Sequence, residues 1–190
     1  MKLWWARSAL HRATRGLCTV PGSFVTRART ANDCSVLLGP FGSAGRFDAC
    51  LERAGMTCLA IGDGQVACSL TVNEELSNNY GTLHGGATST IVDIVGTMAL
   101  LATDPTRAGV SIEMNQTFCR AASVGDELIL LGSVLKYGRA MGFTEVTIRQ
   151  LPDGVREAVA RESSPQGIGA LMLGAPVVAI GRHTKVFPSK

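Results

Sequence analysis

Two rhythms of apolar and polar residues run through the middle of the chain. In residues 65–73, Val66, Cys68, Leu70 and Val72 fall at every second position, the period of a strand with one buried face. Residues 110–119 alternate in the same way. Val110, Ile112, Met114 and Phe118 share one side, and Ser111, Glu113, Asn115 and Thr117 the other. Residues 127–137 and 142–150 predict two further strands joined at Gly138-Arg139. An earlier strand over 56–61 turns at Gly62-Asp63-Gly64. Residues 82–102 break this rhythm: they are apolar on nearly every side and contain one charged residue, Asp93. Such a stretch predicts a helix buried all round rather than an amphipathic surface helix. Residues 47–54 suit a short helix closed by Gly55.

Charge divides the chain. Residues 1–32 carry six basic side chains and no acidic one; the remainder holds 12 basic against 15 acidic residues, so the net +3 comes from the leader. An Arg-rich, acid-free segment with Ser and Thr interspersed is the composition of a mitochondrial targeting leader. We therefore expect mitochondrial localisation, with a cytosolic share as well. Residues 33–46 read as a linker and 47–187 as one folded domain. No basic face for nucleic acid is evident. No apolar run is expected to cross a bilayer, which argues against an integral membrane protein. The six cysteines form no Cys-x-x-Cys pair and the three histidines lie far apart, so neither a metal site nor a disulfide framework is expected.

The chemistry concentrates at the start of the 82–102 stretch. An ionised carboxylate such as Asp93 is costly inside an apolar helix unless it is paired or hydrogen-bonded. Gly85-Gly86 at the helix start lets another group approach the backbone. The first-turn N–H groups there have no intrahelical partners and suit an anion, or a carbonyl oxygen becoming one. His84 precedes the pair and Asn78 lies further upstream.

Asn78-x-x-Gly81-Thr82-Leu83-His84-Gly85-Gly86, followed by a small-residue helix with Val92-Asp93, resembles the hotdog-fold acyl-coenzyme A thioesterases. The likeness covers residues 47–154 and resumes at Val177-Val178-Ala179-Ile180-Gly181-Arg182-His183-Thr184-Lys185. It implies an α+β fold in which an antiparallel sheet wraps a long buried helix. It also implies hydrolysis of a fatty acyl-coenzyme A to fatty acid and coenzyme A, with no cofactor. By resemblance Asn78 orients the polarising end of the site and the Gly85 N–H is the oxyanion donor. Asp93 is the general base, or a direct nucleophile through an anhydride, and Ser111 holds the attacking water. His84 and Gly86 would border the substrate, with His84 supporting its loop rather than acting as a base. Arg182, His183 and Lys185 form a basic cluster that could meet coenzyme A phosphates, or a solvated strand end.

Gly85 and Asp93 are eight residues apart, roughly 12 Å along a helix, too far for one carbonyl to touch both. A second copy with an antiparallel helix would bring its Asp93 to this Gly85. The expected assembly is therefore a homodimer, or a homotetramer of dimers, with a shared site. One segment departs from the family: residues 155–174 intervene before the last strand. Residues 155–162 could form a short helix and 163–167 have loop composition; the insert either bulges from a hairpin tip or displaces the final strand, which would cost the sheet an edge. The competing readings are a hotdog dehydratase and a non-catalytic acyl-coenzyme A-binding or partner-binding module made inert by the insert.

Overall fold

The computed structural model describes residues 47–62 and 64–188; the leader and the linker lie outside them. A 3-10 turn (Phe47–Ala49) runs into the short helix α1 (Cys50–Arg53). The hairpin β1 (Thr57–Gly62) and β2 (Gln65–Thr71) follows, then the long helix α2 (Gly85–Thr103). Strands β3 (Val110–Phe118), β4 (Glu127–Tyr137) and β5 (Met141–Gln150) come next. Two short helices, α3 (Arg156–Arg161) and α4 (Pro165–Leu171), precede the last strand, β6 (Val177–Val186). The strands form one antiparallel sheet in the order β1-β2-β4-β5-β6-β3.

Helix α2 lies across one face of this sheet, against β2, β4, β5 and β6. Ile91, Val92, Val95, Met98, Ala99 and Leu100 are wholly buried there, facing Val66, Cys68, Leu70, Leu128, Leu130, Val146 and Ile148. Each such aliphatic side chain contributes roughly 1.5–3 kcal/mol on leaving water. The helix approaches closely because Gly132 leaves room: a Cβ there would sit 2.9 Å from Val95 Cγ1 and 3.0 Å from Val66 Cγ1. Contrary to expectation, one apolar stretch does reach bilayer length. Helix α2 is long and apolar enough to cross a membrane, with a mean hydropathy of 1.4. It is the core helix of this sheet, 61% of that stretch being buried inside the molecule.

Two further expectations are corrected. Strand β3 does not keep a single alternation. Its register against β6 slips between Ser111, opposite Lys185, and Glu113, opposite Thr184. One extra residue in a strand reverses which side chains face the core. Ser111 therefore shares the α2-facing side with Met114, Gln116 and Phe118, while Glu113 and Asn115 point away. The strand is also an edge, and Val110, Ile112 and Phe118 are each more than half exposed.

The insert is not a bulging loop. Ser164 caps α4 by accepting a hydrogen bond from the Gly167 N–H at 3.1 Å, and Pro165 opens the helix, where its missing N–H costs nothing. Both helices pack on the sheet face away from α2. There Val159, Ile168 and Met172 form a second core with Ala60, Ala67, Ile129 and Ala175. Strand β6 keeps its place, paired along its length with β5 and β3.

Candidate active site

The entry to α2 is built by its own loop. Asn78 Oδ1 accepts from the Tyr80 and Thr82 N–H groups at 2.9 and 3.2 Å, and Asn78 Nδ2 donates to Thr82 Oγ1 at 2.9 Å. His84 then caps the helix. Its backbone is extended (φ −68°, ψ 138°) and its Nδ1 accepts from the Gly86 N–H at 2.8 Å. A Cβ at Gly86 would sit 2.9 Å from that nitrogen, so Gly86 is needed for the cap. The neighbouring Gly85 N–H finds no acceptor among the described residues. It is an unspent donor at the positive end of a 19-residue helix.

Two turns further on, Asp93 is half exposed, with 46% of its side chain open. Its anchored side meets two strands. Ser111 Oγ, brought inward by the slip in β3, lies 3.4 Å from Asp93 Oδ1. From β6, His183 Nε2 is 2.9 Å from Ser111 Oγ and 3.5 Å from Asp93 Oδ1, and Lys185 Nζ is 3.6 Å from the same oxygen. Lys185 Nζ also donates to Thr97 Oγ1 at 2.7 Å, and Thr97 Oγ1 donates to the Asp93 carbonyl at 2.7 Å.

Burial pushes the His183 imidazole down to about 4, with the Lys185 charge adding to the effect and Asp93 opposing it. The ring is therefore neutral at neutral pH. Its Nδ1 is buried without a partner. A stranded lone pair is cheaper than a stranded N–H, so we assign the proton to Nε2. The chain of donors then runs from His183 Nε2–H to Ser111 Oγ and from the Ser111 hydroxyl to Asp93. Burial also lowers the Lys185 ammonium, opposed by the charges of Asp93 and Asp48.

The open side of Asp93 faces a cleft of about 120 Å³ lined by Phe47, Asp48, Ser89, Thr90, Ile94 and Met114. The structure thus joins Asp93 to Ser111 within one chain and keeps Gly85 and Asn78 at the other end of the helix start. The basic cluster expected at 182–185 does not exist as one surface. Arg182 points away from α2 and pairs with Glu145 at 3.0 Å, whereas His183 and Lys185 are buried beside Asp93. That network was missed as a unit. Its signal is the strand period, since successive side chains in β6 face opposite sides and His183 and Lys185 share a parity that Arg182 does not.

The family model of the thioesterase superfamily matches residues 80–157. Acyl-coenzyme A thioesterase 13 of Homo sapiens is 38% identical over 112 residues, 59% of this chain and 80% of that protein. The crystal structure of zebrafish thioesterase superfamily member 2 aligns with a TM-score of 0.66 at 30% identity, over 84% of this chain and 99% of that one. The corresponding Mus musculus structure gives 0.61 at 30% identity, over 82% and 97%. Matched over four-fifths of a curated relative and nearly all of two solved ones, the chain belongs to the thioesterase superfamily and has its hotdog fold.

Proposed function

We propose that this thioesterase hydrolyses fatty acyl-coenzyme A to free fatty acid and coenzyme A, in a site shared between two copies of the chain. The observation that carries the reading is Asp93, anchored on one side by Ser111 and Lys185 and open on the other to a cleft. The Gly85 N–H of one copy donates a hydrogen bond to the developing oxyanion. Asp93 of the other copy takes a proton from water, whose oxygen bonds to the carbonyl carbon; Ser111 orients that water. The carbon–sulfur bond then breaks, and the proton held by Asp93 neutralises the departing thiolate. Phe47, Ile94 and Met114 give the cleft an apolar lining suited to an acyl chain. Pairing of the exposed β3 edge with a second β3 would set the two α2 helices side by side and cover Val110, Ile112 and Phe118. The insert lies on the opposite sheet face from Asp93 and gives no support to a module made inert by it.

The test is release of free coenzyme A from a panel of acyl-coenzyme A thioesters, followed with a thiol reagent. Asp93→Asn should keep the fold and lower turnover by about 10²–10⁴-fold. Near-normal hydrolysis by that variant would remove Asp93 from the mechanism.

A further inference from the structure

We infer that Lys185 is a positioning residue for Asp93, its buried ammonium holding the carboxylate charged and aimed at the cleft. The inference rests on the reading of Asp93 as the base. Lysine is seldom buried unless paired, yet Lys185 is only 6% exposed. Its contacts are specific. Nζ donates to Thr97 Oγ1 at 2.7 Å and lies 3.6 Å from Asp93 Oδ1. Thr97 is one helical turn after Asp93 and spends its own proton on the Asp93 carbonyl, which leaves its lone pairs for the ammonium. Backbone and side chain of Asp93 are thus both tied to one strand through one lysine.

The charges around Asp93 single out this residue. Strand β6 presents His183 and Lys185; β3 presents Ser111 and Met114, which carry no charge. The turn before α1 presents Asp48, and α2 itself offers Ser89, Thr90 and Thr97. His183 is neutral at neutral pH. Among the described residues Lys185 is then the one cation facing the carboxylate, and Asp48 acts in the opposite sense. An opposite charge within about 4–6 Å favours the ionised carboxylate. Without it, the carboxylate should lose both its counter-charge and its tie to β6.

The experiment compares wild type, Lys185→Met and Lys185→Gln. The first removes the charge and keeps the stem; the second removes the charge and keeps a donor for Thr97. We expect the acid limb of kcat/KM to move to higher pH in both, because the counter-charge is removed, with kcat/KM below the limb falling relative to wild type and KM little changed. An unmoved limb in both variants overturns the proposal. So does a limb moved by Met and not by Gln, which would assign the effect to the hydrogen bond rather than the charge. If the Met variant does not fold, the Gln variant decides alone. A ¹³C titration of the Asp93 carboxyl in wild type and Lys185→Gln separates this from the proposed mechanism. Should Asp93→Asn stay active, the base assignment falls. The carboxyl titration would still move with Lys185 if the positioning role holds, and would stay put if it does not.

Discussion

Replacing Ile168 by alanine tests whether the insert is part of the fold or an ornament on it. Ile168 is wholly buried between α4 and the outer sheet face, beside Met172, Val159 and Ile129. The change removes three carbons, about 2.4 kcal/mol at about 0.8 kcal/mol per methylene. The cavity left behind adds to this, and measured Ile→Ala changes span about 2–5 kcal/mol. Alanine is the better helix former, which returns a few tenths of a kcal/mol. We expect a net loss of about 3 kcal/mol in urea unfolding with an unchanged m value, and a fall in Tm of about 6–12 °C. Turnover per folded molecule should stay at the wild-type level, because Asp93 lies on the other face of the sheet. A loss below about 0.5 kcal/mol would mean that the insert does not share the core. A collapse of turnover in fully folded protein would mean that it communicates with the site.

Two further outcomes are expected. His183 is held near 4 in the folded protein against an ordinary 6.5, so the unfolded chain binds the extra proton first as pH falls. Stability should be full above about pH 6.5 and decline towards pH 4, by up to about 3 kcal/mol. His183→Gln should flatten that slope in denaturation curves taken across the range, and an unchanged slope would refute the assignment. Residues 1–32 fused to a fluorescent reporter should carry it to mitochondria, as their Arg-rich, acid-free composition suggests; a diffuse cytosolic signal would count against a targeting role.

What was legible in the sequence follows the strength of each local signal. The buried helix and the strand alternation of 65–73 were plain because a single period runs through each. The inward turn of Ser111 was not, because a one-residue bulge leaves no mark on an alternating pattern, and the resemblance rather than the period pointed to that serine. Helix α4 was partly written: Ser164-Pro165 is a cap followed by a first-turn proline. Its glycines and short length made it look like a loop. The apolar side chains Ile168 and Met172 gain their meaning only from Ala60, Ala67 and Ile129, far away in sequence. Lys185 was misplaced for a related reason. A charge in a strand suggests solvent unless the partner on the helix packed against it is known, and Asp93 is 92 positions away in the chain.

The shared site can be tested with one substitution at the start of α2 and one near its middle. Gly85 is the first residue of the helix, where proline is well tolerated. His84 already has the extended backbone that a following proline demands, and a Cβ at Gly85 meets only the Phe118 ring at ordinary contact distances of 3.6 and 3.7 Å. Gly85→Pro therefore deletes the unspent N–H and little else. Loss of one oxyanion donor is worth about 10²–10³ in turnover. Gly85→Pro and Asp93→Asn proteins, each strongly impaired alone, would be unfolded and refolded together. In a site built from Gly85 of one copy and Asp93 of the other, a mixed dimer has one site with both defects and one with neither. Random pairing makes about half the dimers mixed, so about a quarter of all sites should regain wild-type turnover. If both residues served the same site from one chain, every site would keep a defect. Mixed dimers demonstrated by two affinity tags and still inactive would then exclude the shared arrangement.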